Sequence, residues 1–379
     1  MIITNLVIYI LKKKKKIKNL VPSYFNDGFI FIKILDENGN YGYAEPSPYI
    51  LEIAKLIPAL KYIFLKHFKD KDNKKINLSK IIQKLRNPNL QKLVVCFDHA
   101  INELIAKKHN KSVAQLFLKK KKKIQLYASG GMIYEKNDYH SLIEEALEYK
   151  EKKFFGWKFR PSFPNSNLSH AQRIKNPPPF DTRKLLDFAT NLRKCVGDSF
   201  NLMLDCGGRC TDIKQAHYLA DALYELNFFF LEEPLKRKTS LYKKFSKKKI
   251  KLQIAGGENI SNLKEFNNWK KSKLDIFQPD TNLLTFNEIK IIEKIWKKKI
   301  IFHNWCNLIN FATNFNYILS SDRDIILEKN ILQNPYEKCF INDSFKINNG
   351  VITKLKNCGY GIKIKKIKYK DIAYNQIKV

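Results

Sequence analysis

From Ile124 onward, short apolar segments with the pattern of strands alternate with amphipathic segments that have the pattern of helices. The predicted strands are IQLYAS, FFGWKFR, FNLMLD, FFFLEE, LQIAGGE, LDIFQ, IIFHN and DIILE. This alternation predicts βα units and a parallel sheet, because parallel neighbours need a long crossover that a helix supplies. Eight strands with helices between them are what a closed barrel needs, although a doubly wound open sheet would alternate in the same way.

Residues 1–123 have a different pattern, which predicts a separate α+β domain. Two strand-like runs, TNLVIYIL and GFIFIKIL, precede a turn in which Asn38-Gly39 is typical of a β-hairpin. The segment CFDHAINELIAKKHNKSVAQLF then carries apolar residues at helical spacing. Residues 350–379 are strand-like, and we predict that they pack back onto this first domain. The expected barrel domain is therefore 124–349.

The chain carries a formal net charge of +34 over 379 residues, which first suggests a nucleic-acid or membrane partner. Only eight of its 70 basic residues are arginine, the residue whose planar fork suits base and phosphate recognition. The lysines are spread along the whole sequence, and isoleucine, asparagine, phenylalanine and tyrosine are plentiful as well, a mix expected when an AT-rich genome biases codon use. We interpret the excess positive charge as belonging to lysines on solvent-exposed surfaces, and we expect neither a nucleic-acid nor a membrane partner. The alternative function, from a class other than enzymes, is that of a basic, nucleic-acid-binding protein that has kept a barrel scaffold.

The seven cysteines do not suggest a disulfide framework, because their number is odd and their spacing does not repeat. Cys206 and Cys210 lie four residues apart, but no second pair follows that would complete a zinc site. The apolar N-terminal segment is too short to span a bilayer and precedes the lysines, unlike a signal peptide. These features favour a cytoplasmic location in a reducing environment.

Charged side chains stand at the C-terminal ends of the predicted strands, which converge on one face of a parallel barrel, where active sites lie. Glu232 and Glu233 close an apolar run, although glutamate is rarely buried unless it is paired or bound to a metal. Asp205, Glu232 and Glu258 come from successive strands and form an oxygen ligand set that suits magnesium. One such acid alone would more often be structural. The other strand-associated charged residues are Lys158, Arg160, Asp275, His303 and Glu328.

The order of these motifs resembles that of the enolase superfamily, in particular its mandelate racemase and acid-sugar dehydratase branch. The matching segments of the barrel are GWKFR, LMLDCGG, LEEP, GGEN, DIFQPD, FHN and LEKN. Outside the barrel, GNYGYAEPSPY, FDHAINELIAKKHNKSVAQLF and GYGIKI also match, so the resemblance covers nearly the whole chain. It implies an α+β N-terminal capping domain followed by a modified TIM-type (β/α)7β barrel.

The resemblance also implies roles for the strand-end residues. One Mg²⁺ ion per subunit would be bound by Asp205, Glu232 and Glu258, with Glu233 supporting these ligands. His303 would be the working base, paired with Asp275, because an aspartate fixes the tautomer of the imidazole and raises its basicity. Glu328 would hydrogen-bond the substrate as negative charge develops on it. Lys158 would lie on the other face of the substrate.

One position departs from the family pattern. Lys158 and Arg160 occupy the positions of a Lys-x-Lys pair, so Arg160 replaces the lysine that serves as a second base. Arginine stays protonated and suits the binding of a carboxylate better than proton abstraction. Racemisation needs a base on each face of the substrate, whereas dehydration can proceed with one. We therefore expect a dehydratase of an aldonic or aldaric acid that yields a 2-keto-3-deoxy acid, with a racemase or epimerase of a 2-hydroxy acid as the alternative.

Substrate contacts are predicted in two loops. Residues 161–182 are polar and proline-rich, and long ordered loops are often functional, although a disordered insertion is the alternative. In this loop His170 and Arg173 would either reach the distal end of a polyhydroxy acid or be solvated. Tyr24 lies in a candidate capping loop of the first domain, which would close over the substrate. The resemblance also implies a homo-oligomer.

Overall fold

The computed structural model describes most of the chain. The described ranges are 1–15, 28–47, 52–118, 121, 123–131, 139–161, 180–272, 274–305, 307–332, 334–365 and 371–379. Tyr24, His170, Arg173 and most of the predicted substrate loop lie outside the described residues, so these three assignments stay predictions. Within the described residues, no helix has both the length and the apolar character that a membrane crossing requires.

An antiparallel sheet packed against helices forms the N-terminal part of the protein. Its strands are β1 (Ile2–Lys13), β2 (Phe29–Asp36), β3 (Tyr41–Ala44) and β4 (Lys71–Asp72), and its helices are α1 (Ile53–His67), α2 (Leu78–Lys84), α3 (Pro88–Lys108) and α4 (Val113–Leu116). Alternate residues of β1 and β2 pack against α1 and α3, as Ile8, Ile32, Phe64 and Phe97 illustrate. The predicted hairpin is present: Gly39 adopts a φ of +77° in the turn between β2 and β3.

Eight parallel strands form a closed barrel. The strands are β5 (Lys123–Ser129), β6 (Gly156–Phe159), β7 (Asn201–Asp205), β8 (Phe228–Glu232), β9 (Ile254–Gly256), β10 (Ile276–Phe277), β11 (Lys299–Phe302) and β12 (Ile326–Asn330). The barrel is closed because the last of them, β12, pairs with the first, β5. The intervening helices are α5 (Tyr139–Glu151), α6 (Thr182–Val196), α7 (Ile213–Glu225), α8 (Thr239–Phe245), α9 (Leu263–Trp269), α10 (Phe286–Ile295) and α11 (Leu308–Leu319). In the described part of the chain no α-helix follows β12, so the predicted (β/α)7β barrel is confirmed and the open sheet is excluded.

The C-terminal strands join both parts of the protein. They are β13 (Phe340–Asn342), β14 (Phe345–Asn348), β15 (Val351–Lys354), β16 (Ile362–Ile364) and β17 (Ile372–Lys378). β14 and β15 form a hairpin whose second strand pairs antiparallel with β5, and β13 pairs with β16. β17 pairs antiparallel with β1, with Val7 opposite Lys378. The segment 350–379 is therefore divided between the barrel and the first sheet.

Glu45, which follows β3, anchors the first domain to the barrel. Its buried carboxylate accepts hydrogen bonds from the backbone N–H groups of Asn307, at 2.9 Å, and Asn310, at 3.2 Å. These groups lie at the N-terminus of α11, where unpaired N–H groups and the helix dipole favour negative charge. Burial raises the pKa of Glu45 to about 7, although these hydrogen bonds oppose the rise. The first domain thus braces the helix that follows the strand-end residue His303.

Candidate active site at the C-terminal end of the barrel

The inward-facing side chains of the barrel change from apolar to charged at the strand ends. Met203, Phe230 and Ile301 belong to the apolar cluster that fills the barrel interior. Successive side chains of a strand point to opposite faces, so the residue two positions further along also points inward. In these three strands that residue is Asp205, Glu232 or His303, and their exposed fractions are 5%, 0% and 6%. The alternation of side chains along each strand thus places these buried, ionisable side chains at the C-terminal rim of the barrel.

Lys158, on β6, joins two of the predicted site carboxylates. Its Nζ atom lies 2.7 Å from Oε2 of Glu232 and 2.8 Å from Oε1 of Glu328, and all three side chains are fully buried. Burial alone would lower the pKa of Lys158, but the two carboxylates outweigh it and raise this pKa above its ordinary value. Burial would raise the pKa of Glu328, but Lys158 and His303 hold it down at about 2. Lys158 is therefore a cation and Glu328 an anion.

Arg160 follows β6 and contacts the end of β7. Its Nη2 atom lies 2.8 Å from Oδ2 of Asp205, and its guanidinium carbon lies 3.9 Å from the ring centroid of Trp305. Such stacking of guanidinium on indole combines cation–π attraction with good planar packing. The indole N–H of Trp305 also lies 3.1 Å from Oγ of Ser129 and 3.2 Å from Oε1 of Glu328. Arg160 is thus fixed between a carboxylate and a ring, in a setting that keeps it charged.

His303 pairs with Asp280, so the prediction that Asp275 is its partner is wrong. Nδ1 of His303 lies 3.0 Å from Oδ2 of Asp280, and both side chains are buried. Asp280 follows β10, at the strand end where the site residues gather, whereas Asp275 precedes β10. Asp275 is instead partly exposed and pairs with Lys298 at 3.0 Å. The sequence predicts a five-residue strand, LDIFQ, that includes Asp275, whereas only Ile276–Phe277 pair as a strand, so Asp275 lies before it.

The second nitrogen of His303 contacts another predicted site residue. Nε2 lies 3.3 Å from Oε2 of Glu258. Burial would lower the pKa of His303, but Glu258 and the hydrogen bond with Asp280 outweigh burial and raise this pKa to about 10. The imidazole is therefore protonated at neutral pH in this arrangement, and Nδ1–H donates to Asp280.

Arg237 links two further carboxylates at the same rim. Its Nε atom donates to Oε2 of Glu233 at 2.6 Å, and its Nη2 atom donates to Oε1 of Glu258. Glu233 follows β8 with a φ of +41°, a left-handed conformation that is uncommon for residues other than glycine. The chain thus turns sharply after β8, and Arg237 reaches back to this turn from four residues further along.

The structure brings the predicted strand-end residues, apart from Asp275, to one rim of the barrel, where their contacts form two groups. The first group is held together by ion pairs and by Trp305, and its members are Lys158, Arg160, Asp205, Glu232 and Glu328. The second group is joined by Arg237 and by an ion pair, and its members are Glu233, Glu258 and His303. Each of the predicted magnesium ligands contacts a cationic side chain. Among the described residues, no three His, Cys, Asp or Glu side chains are grouped so that they could hold a metal ion as they stand.

Sequence reasoning missed Asp280, Trp305 and Arg237. The position of Asp280 beyond the apolar run LDIF would have identified it, because residues past the end of a barrel strand face the site. Arg237 stands out only because arginine is rare in this chain. Trp305 carries no local pattern, since its partners Arg160 and Ser129 come from distant parts of the sequence.

Comparison with known proteins gives a family match and several relatives. Residues 141–368 match the family described as Enolase C-terminal domain-like. The chain is 25% identical over 358 residues to the D-gluconate/D-galactonate dehydratase of Picrophilus torridus, a match that covers 90% of this chain and 87% of that protein. It is 23% identical over 273 residues to the arabinonate dehydratase of Saccharolobus solfataricus, which covers 70% and 68% of the two chains.

The fold also matches solved structures. The L-talarate dehydratase from Polaromonas sp. JS666, solved with Mg and L-glucarate, superposes with a TM-score of 0.77 over 100% of this chain and 99% of that one. The two sequences are 17% identical, so this likeness concerns the fold alone.

Proposed function

Because the chain belongs to the enolase C-terminal domain-like family, we propose that it is a sugar-acid dehydratase, a hydro-lyase. The reaction removes the proton alpha to the carboxylate of an aldonic or aldaric acid and expels the β-hydroxyl, and the enol product tautomerises to a 2-keto-3-deoxy acid. The two sugar-acid dehydratases among the relatives support this reaction class. The observation that carries the proposal is the buried His303–Asp280 pair at the same rim as Arg160, which cannot act as a second base.

His303 is the proposed base. Asp280 holds Nδ1, so Nε2 is the nitrogen that exchanges a proton with the substrate. Nε2 has to leave Glu258 and lose its proton before it can accept one from the α-carbon. The same nitrogen then donates that proton to the departing β-hydroxyl, which leaves as water. One residue thus serves both halves of the elimination, and the protons balance.

Lys158 is the proposed donor to the negative charge that develops on the substrate carboxylate. Two carboxylates, Glu232 and Glu328, take two of its three N–H bonds and leave one for the substrate. A direct hydrogen bond from Glu328 to the substrate, as the resemblance implies, would need a protonated carboxyl group. Because its pKa is lowered to about 2, Glu328 is better suited to keeping Lys158 charged.

Arg160 favours dehydration over racemisation in this proposal. It stays protonated beside Asp205, so it cannot return a proton to the second face of the substrate. Stacking on Trp305 fixes its guanidinium plane, which suits the binding of a carboxylate through two N–H groups. A racemase or epimerase would need another base on that face.

The proposed cofactor is one Mg²⁺ ion per subunit, held by Asp205, Glu232 and Glu258. Asp205 lies opposite Glu232 in the β7–β8 register, and Oε1 of Glu232 is buried without a hydrogen-bond partner in the described structure. Burial raises the pKa of Glu232 to about 8, opposed by Lys158 and reinforced by Asp205, so a further cation would suit this site. Carboxylate oxygens are the ligands that magnesium prefers. When bound, the ion would supply Lewis-acid stabilisation of negative charge on the substrate.

A library of aldonic and aldaric acids tests the proposal. We expect keto-acid formation from at least one member with magnesium, and its loss on addition of a chelator. Exchange of the α-proton with solvent deuterium without loss of water would favour the racemase or epimerase instead. Salt-sensitive DNA binding that survives mutation of Asp205, with no turnover of any acid, would favour the nucleic-acid-binding alternative.

A further inference from the structure

Both oxygens of Glu258 already contact a cation. Oε1 accepts a hydrogen bond from Nη2 of Arg237, and Oε2 lies 3.3 Å from Nε2 of His303. Nε of Arg237 also donates to Glu233 at 2.6 Å, so the guanidinium spans two carboxylates. A metal ion at Glu258 would therefore lie close to these cations and would compete with them for the same carboxylate oxygens.

Arg237 differs from the other cations of the site. Lys158 and Arg160 lie at the end of β6, and the proposed reaction uses both. Arg237 belongs to the connection between β8 and α8, its side chain is 35% exposed, and the reaction assigns it no role. Its contact with Glu258 therefore concerns the proposed ligand and not the substrate.

The residue type at position 237 suits a contact with two carboxylates. Only eight of the 70 basic residues are arginine, and the residues on either side, Lys236 and Lys238, are both lysine. A guanidinium holds its N–H groups in a rigid fork and can reach two carboxylates from fixed directions, whereas an ammonium is a single compact charge. The bridge from Glu233 to Glu258 uses this property.

We propose that Arg237 is a positioning residue that competes with the divalent cation for Glu258 and thereby lowers the affinity of the site for the ion. The inference rests on the proposed function, because it takes Glu258 to be a metal ligand. Glu233 keeps hold of Nε of Arg237 when Glu258 turns away, so the guanidinium stays at the rim and can recapture Glu258 when the ion leaves. Arg237 thus sets the cation concentration at which the site fills.

Direct metal binding tests this inference without reference to turnover. Mn²⁺ is added to the full chain in the absence of substrate, and the free ion is followed by electron paramagnetic resonance. Arg237→Gln is compared with Lys236→Gln, which removes the same charge from the adjacent, exposed residue. We expect Arg237→Gln to lower the Kd for Mn²⁺ by on the order of tenfold, because a charge-assisted competitor is lost. Lys236→Gln should change it by less than about threefold, because an exposed charge is largely screened.

Arg237→Lys is the second variant, since it keeps the charge but not the fork. The Kd of Arg237→Lys for Mn²⁺ should fall between those of wild type and Arg237→Gln. If Arg237→Gln does not fold, the comparison of Arg237→Lys with wild type tests the competition instead. If wild type binds Mn²⁺ but the variants at position 237 bind it equally well or more weakly, the proposed competition is wrong, whereas the proposed metal centre stands. If neither wild type nor the variants bind Mn²⁺, the competition is overturned together with the proposed metal centre. Binding by Arg237→Gln but not by wild type supports the competition in its strongest form.

Discussion

Asp280 and His303 join the connection after β10 to the end of β11 through one contact of 3.0 Å between Oδ2 and Nδ1. Both residues are buried, so the contact is shielded from water and from salt. It holds the imidazole in the orientation that presents Nε2 to the proposed substrate site. The proposed chemistry therefore depends on this pair, and two predictions concern it directly.

Replacing Asp280 by Asn should lower kcat on the order of a hundredfold or more, because an amide cannot stabilise the imidazolium or fix the reactive tautomer. Asp275→Asn is the matched control: Asp275 pairs with Lys298 at the other end of β10, so kcat should stay close to that of wild type. Steady-state turnover of the sugar acid measures both variants. An equal loss in Asp275→Asn would refute the assignment of Asp280.

His303→Asn should abolish dehydration, because the amide that replaces the imidazole can neither accept the α-proton nor deliver it to the departing hydroxyl. Mn²⁺ binding, measured by electron paramagnetic resonance, should survive in this variant, since His303 is not one of the proposed ligands. Dehydration at a near-normal rate by His303→Asn would show that another group removes the proton.

Arg160→Lys should introduce exchange on the second face of the substrate. Lysine, unlike arginine, can lose its proton when its pKa is lowered, so it can return a deuteron to the α-carbon. Mass spectrometry of unreacted substrate in deuterated water should detect this label above the wild-type level. Wild type run alongside supplies the reference, and absence of any extra label would argue that residue 160 does not face the α-carbon.

Glu45→Ala should destabilise the protein by roughly 1–3 kcal/mol, because the N–H groups of Asn307 and Asn310 lose a buried acceptor. Urea unfolding measures this change. Glu52→Ala is the control: Glu52 stands at the N-cap of α1 but makes no side-chain capping bond, so the free energy of unfolding should change by less than about 0.5 kcal/mol. Equal losses in the two variants would contradict the proposed link between the domains.

Stability should depend on pH through His99, which is buried on α3 and lies 2.5 Å from the carbonyl oxygen of Thr281. Burial lowers the pKa of His99 to about 4. The folded state therefore binds this proton less readily than the unfolded chain, in which histidine titrates near about 6.5. The stability that depends on neutral His99 is therefore fully present above about pH 6.5 and is lost as the pH falls towards 4.

Urea unfolding between pH 4 and pH 7 measures this dependence. In wild type the free energy of unfolding should fall between pH 7 and pH 4, and His99→Gln should reduce this fall by up to roughly 3 kcal/mol. His140→Gln, at an exposed position on α5, should leave the slope unchanged. A slope in His99→Gln as steep as in wild type would assign the dependence to other groups.

The barrel was predictable from sequence because its strands are apolar, short and separated by amphipathic helices. The match of residues 141–368 also confirms the resemblance to the enolase superfamily that the strand-end motifs suggested. Local pattern fails where an element is very short: only two residues of β10 pair, so the sequence places Asp275 within the strand, although the partner of His303 is Asp280, which follows the C-terminal end of the strand. Pattern also fails for side-chain partners such as Trp305 and Arg237, because their contacts join segments that are distant in sequence.

The pairing of β17 with β1 has a consequence for how the protein is made. Val7 finds its partner Lys378 only after the entire barrel has left the ribosome, so during synthesis one border of the first sheet keeps its hydrogen-bonding groups open. Lys12 and Lys13, which stand on that border, add repulsive charge that discourages pairing with a neighbouring nascent chain. These two lysines would thus help to keep the growing polypeptide from aggregating through this border.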